Sequence, residues 1–87
     1  PNQGLYVLNS PFVLEQADAV AGKLLSDPGS DADRVDAAYR TVLGRRPTAA
    51  ERDRVLAFLA TAGDDRRAGW AKVAHTLMAL PEFRSLF

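Results

Sequence analysis

A chain of 87 residues with eleven basic side chains, eleven acidic ones and no cysteine is sized for one modest core and carries no net charge. The zero balance argues against a nucleic-acid binder, whose affinity comes largely from neutralising phosphates, and the missing cysteine removes disulfide and thiolate chemistry. Hydrophobic content of 47% with 25% charged residues suits a folded domain, and no apolar run approaches the roughly 18 residues that span a bilayer.

At this size folding buries only about 60–65% of the surface that the unfolded chain exposes, so stability is marginal. The first residue is Pro1 and no charged-then-apolar leader follows. The expectation is a single helical domain over residues 1–87, cut from the C-terminal end of a larger protein.

Residues Pro1 to Asn9 read as extended or irregular, with Leu5, Tyr6, Val7 and Leu8 laid across the bundle. Ser10-Pro11 opens a first helix, because serine caps well and proline at the first helical position loses no hydrogen bond. Its buried stripe is Val13, Ala17, Val20, Ala21, Leu24 and Leu25, and Leu8 or Asn9 leaves room for a staple-like contact near Leu14. Gly22 costs about 1 kcal/mol relative to alanine in mid-helix; a close crossing or simple tolerance explains it. Ser26 to Gly29 is a turn, and Ser30 or Asp31 caps a second helix. Asp31, Asp33 and Asp36 suit the positive end of its dipole.

Val35, Ala38, Tyr39 and Val42 recur at helical spacing, Leu43 widens the face, and Gly44 supplies a stop by accepting positive φ. Pro47 forces Arg46 into an extended conformation. Thr48-Ala49-Ala50-Glu51 is then a capping box, and Val55, Phe58, Leu59 and Ala62 form the next apolar face before Gly63. Ala62 to Arg67 reads as a polar loop with Asp64 or Asp65 as caps. A fourth helix, from about Ala68 to Leu80, carries Trp70, Val73, Ala74 and Leu77 on one stripe. Pro81 ends it or begins a final turn, with Phe83, Leu86 and Phe87 tucked back onto the core. The fold class is all-α: a four-helix bundle of two helical hairpins with apolar tails.

Few residues are arranged for chemistry. His75 is the only histidine and falls roughly 160° from the centre of the apolar stripe at about 100° per residue, so it is expected to be exposed. Alone it is weak evidence for catalysis, and zinc would have to lean on carboxylates. Asp31, Asp33 and Asp36 lack the glycine and final glutamate of a calcium loop. Trp70, Tyr39 and Phe58 could line a pocket, but an aromatic bundle centre is the commoner use. Phosphate-cradling glycine loops and nucleophile elbows are absent. No catalytic, metal-binding or cofactor-binding residue is assigned.

Arg45-Arg46 and Arg66-Arg67 form the candidate interaction surface. A helix–turn–helix DNA-binding reading has the right grammar at Thr48 to Arg54, but Glu51 and Asp53 would face phosphates. Solvated arginines, or salt bridges to the neighbouring aspartates, are the favoured alternative. A third reading has Arg45 or Arg46 hold an anion in an active site completed on a preceding domain.

LNSPFVLEQA (Leu8 to Ala17), AYRTVLGRRPTAAE (Ala38 to Glu51), and Trp70 followed by AHTLMALPEF (ending at Phe83) occur in one order over nearly the whole chain. Together they resemble the C-terminal part of a family of large planctomycete-type proteins, the domain of unknown function 1553. Pro81 stands where that family tends to have asparagine. YRTVLGRRP with the late tryptophan and PEF is also similar to a second helical domain of bacterial surface proteins, the domain of unknown function 4214, which leaves LNSPFVLEQA unexplained. Both resemblances imply a helical module within a longer exported protein. The first implies a periplasmic or cell-envelope setting, because its longer chains often carry a cytochrome-c-like domain. Neither implies catalytic residues at positions here. The resulting expectation is a non-catalytic structural or protein-interaction module, not an enzyme, without cofactor, whose partner is a preceding domain of its own chain or another protein.

Overall fold

The computed structural model describes residues 10–86. They form four long helices, α1 (Pro11–Ser26), α2 (Asp31–Leu43), α3 (Ala49–Thr61) and α4 (Arg66–Met78), and a short α5 (Pro81–Arg84). There is no strand among the described residues. Each long helix starts at a side chain that accepts from an otherwise orphaned amide. Ser10 accepts from Val13 N–H at 3.3 Å, Ser30 from Asp33 at 3.2 Å, Thr48 from Glu51 at 3.1 Å and Asp65 from Ala68 at 3.0 Å. The capping box at Thr48 is closed by the Glu51 carboxylate, which accepts from the Thr48 amide at 2.8 Å. Ser30 and Asp33 make a second box. Gly44 ends α2 at φ 71°, its N–H donating to the Arg40 carbonyl; that left-handed backbone is what the glycine is there to supply.

The core is apolar throughout. Ala17, Ala21 and Leu24 from α1 meet Val35, Ala38, Tyr39, Val42 and Leu43 from α2, and Trp70, Val73, Ala74, Leu77 and Met78 from α4. No polar or charged residue is buried among the described residues. The most extensive helix pair is α1 with α4, elements far apart in the sequence. Buried alanines at 17, 21 and 74 allow close backbone approach there. Trp70 is fully buried, and its indole N–H finds no acceptor among the described residues.

Helix α3 differs from the rest. It buries no residue; Val55, Leu56 and Leu59 are half-buried against the core, and Phe58 is 38% exposed. The expected place of Phe58 in an aromatic centre is therefore corrected: α3 rests on the bundle by one edge, and Phe58 projects beside that edge. Leu86, expected to fold back, is 58% exposed, whereas Phe83 packs against the core. The expected tails at Leu5 to Leu8 and at Phe87, and a staple from Leu8 or Asn9, lie outside the described residues; Leu14 itself is 48% exposed. The fourth helix begins at Arg66 rather than near Ala68, because Asp65 is the cap, and it ends at Met78.

Candidate functional site

The Arg66-Arg67 pair opens α4, where positive charge opposes the helix dipole. Carboxylates from two other helices offset that cost. Arg66 Nη2 donates to Asp31 Oδ1 at the start of α2. Arg67 makes a forked pair with Asp18 of α1, with Nε to Oδ1 and Nη2 to Oδ2 both at 2.9 Å. Gly22, one turn on from Asp18, leaves room for this fork: a Cβ there would lie 2.9 Å from the Arg67 guanidinium carbon. Asp31 also accepts from Arg34 at 3.0 Å. The hydrogen bond from Arg66 is the main reason that its carboxyl titrates below the usual range. Arg34 in turn donates to the carbonyls of Leu24 and Asp27, closing the α1–α2 turn. Asp33 is occupied by its capping box and Asp36 by Arg52 at 3.1 Å.

Arg45 is enclosed more completely. Nε and Nη2 donate to the two Glu82 oxygens at 2.9 and 2.7 Å. Nη1 and Nη2 donate to the Glu51 oxygens at 2.8 and 3.0 Å, and Nη1 also to the Arg46 carbonyl at 3.0 Å. These bonds engage all five N–H donors of a guanidinium. Its central carbon stands 5.4 Å from the Tyr39 ring centroid, within cation–π range. Bonding to Glu82 and then Glu51 raises the arginine's pKa. Bonding to Arg45, and then to the Thr48 amide, lowers Glu51 to about 2. Glu82 is lowered by the same guanidinium, and burial raises Tyr39.

The structure does not bring the two arginine pairs together. Arg66 meets the first residue of α2 and Arg45 follows its last, so a 13-residue helix of about 20 Å separates them. Arg46 is exposed and has no carboxylate partner among the described residues.

A groove of about 530 Å³ runs between α3 and α4. Tyr39, Val55, Phe58, Val73, Leu77 and Leu80 supply its apolar surface, and Glu51, Arg54, Lys72, His75 and Thr76 its polar edge. His75, expected to be exposed, is half-buried in this wall. Its angle on α4 does lie away from the α1-facing stripe, but α3 stands on that other side. Among the described residues no group of three or more His, Cys, Asp or Glu is placed to hold a metal ion.

Sequence reasoning missed Glu82, the Ser30–Asp33 box and the groove. Ser30-x-x-Asp33 carries the capping pattern with aspartate in place of glutamate, so the box was findable. Glu82 and the groove arise from contacts between remote segments and leave no local signal.

The family model described as PSD1, Protein of unknown function (DUF1553), matches residues 1–59. The match contains LNSPFVLEQA and AYRTVLGRRPTAAE and ends before Trp70. No curated protein and no solved structure matches the chain.

Proposed function

The chain belongs to the DUF1553 family of proteins of unknown function, and from that membership we propose that it is a non-catalytic structural or protein-interaction module of a larger, exported bacterial protein. The observation that carries this reading is the engagement of its conspicuous arginines. Arg45 has no donor left for a substrate anion, and Arg66 and Arg67 tie α4 to α2 and α1. These side chains are engaged by carboxylates of the same fold instead of facing a reaction. Among the described residues no helix is long and apolar enough to cross a membrane. The module's partner is a preceding domain of its own chain or another protein, in a periplasmic or cell-envelope setting. Deleting residues 1–87 from the parent protein tests this: assembly is lost and turnover is kept. Lost turnover with unchanged assembly would defeat the reading.

A helix–turn–helix DNA-binding role is the second reading. Arg46 and Arg54 are exposed on either side of the α3 start, which favours it. Glu51 and Asp53 in the same stretch oppose it. A salt-dependent gel shift that disappears on changing Arg46 and Arg54 to alanine would promote it; no shift at low salt dismisses it.

A further inference from the structure

The groove between α3 and α4 is elongated. On α3, Glu51, Arg54, Val55 and Phe58 share one helical face; on α4, Lys72, Val73, Thr76 and Leu77 do so, and Leu80, the extended residue before α5, closes the end. The α3 wall is about two turns long, roughly 10–11 Å, and the α4 wall about one and a half, roughly 7–8 Å. Phe58, Arg54 and Lys72 are exposed along it, so the space is an open trough and not an enclosed cavity.

Charge on its edges is unequal. Glu51 is neutralised by Arg45. Arg54 on α3 and Lys72 on α4 have no carboxylate partner among the described residues. An apolar floor thus lies between two walls that each carry an uncompensated cation.

We propose that this trough docks an amphipathic helix of a protein partner, with apolar residues against Val55, Phe58, Val73 and Leu77 and flanking carboxylates meeting Arg54 and Lys72. Apolar anchors at i, i+3 or i+4, and i+7 match the two-turn α3 wall. The opposed cations on the two walls select an acidic partner and set its register. The half-buried state of α3 follows from this role, since a third helix laid in the trough covers Phe58. The proposal rests on the reading of the chain as an interaction module.

The test uses the 87-residue chain and fluorescence anisotropy. The probes are labelled helical peptides of about 15 residues that share leucine and phenylalanine anchors and carry either glutamate or lysine beside them. The glutamate peptides bind about tenfold more tightly than their lysine counterparts. The double variant Arg54→Glu/Lys72→Glu inverts that preference and leaves the unfolding temperature nearly unchanged, because neither side chain has a carboxylate partner among the described residues. Phe58→Ala weakens binding of both peptide sets severalfold. Absence of binding, equal binding of both sets, or a preference that survives the double reversal overturns the proposal. The double reversal in the parent protein separates the two levels. If deletion of residues 1–87 abolishes assembly while the reversal leaves it intact, the trough is not the docking site and the module reading stands. If deletion itself leaves assembly intact, the module reading fails.

Discussion

Arg45 Nη2 and Glu82 Oε1 stand 2.7 Å apart, joining the connection after α2 to α5 across 37 residues of sequence. With Glu51 on its other edge, the guanidinium clamps three segments at once. Arg45→Ala releases that clamp and the cation over Tyr39, and lowers the thermal midpoint of unfolding. Arg45→Lys restores only part of the loss, because an ammonium cannot fork to two carboxylates. Circular dichroism melts of the two variants check the ranking; equal midpoints for lysine and wild type would contradict it.

The same clamp makes stability depend on acid. Glu51 is lowered from 4.5 to about 2, and Glu82 and Asp31 are lowered too. A carboxyl whose folded pKa is depressed stabilises the fold above its unfolded value and loses that contribution as pH falls through the folded one. For Glu51 the contribution is complete above about 4.5 and disappears toward about 2. Unfolding midpoints therefore fall across that window, and Glu51→Gln makes the fall shallower. A Glu51→Gln profile parallel to wild type would contradict the assignment.

Thr48→Ala removes the cap of α3 and one half of its box. The expected cost is about 1 kcal/mol, a drop of roughly 4–8 °C for a domain of this size. Ser30→Ala acts likewise on α2. Thermal melts of both variants provide the check.

Gly22→Ala works in the opposite direction. It gains up to about 1 kcal/mol of helix propensity and pushes aside only the far end of Arg67, whose exposed pair with Asp18 contributes little. The midpoint rises slightly. In a double-mutant cycle, Arg67→Ala then costs less in the alanine background than in wild type.

Local chemistry made most of the helices legible. Ser10-Pro11, Thr48-Ala49-Ala50-Glu51 and Gly44 act within one turn, so their signals survive without knowledge of the rest of the fold. The stripe on α1 is readable for the same reason. What was not legible depends on elements meeting from afar. Asp18 and Arg67 are 49 residues apart, and no spacing rule links them. His75 was placed correctly on its helix and wrongly in the molecule, since its exposure depends on where α3 stands. Phe58 shows the converse: its periodicity is that of a buried stripe, and only the loose seating of α3 leaves it open. Of the candidate surface, Arg45, Arg46, Arg66 and Arg67 are identifiable as basic pairs, but the separation of the pairs by α2 and the particular carboxylates that hold Arg45, Arg66 and Arg67 are not.

Native-state amide hydrogen exchange on the 87-residue chain tests most directly whether α3 is the loosely held element on which docking depends. The expected result is that amides at Ala21, Val35 and Val73 exchange only through global unfolding, while those at Val55 and Phe58 exchange through a smaller, cheaper opening. Protection at Val55 and Phe58 equal to that of α1 and α4 would contradict it.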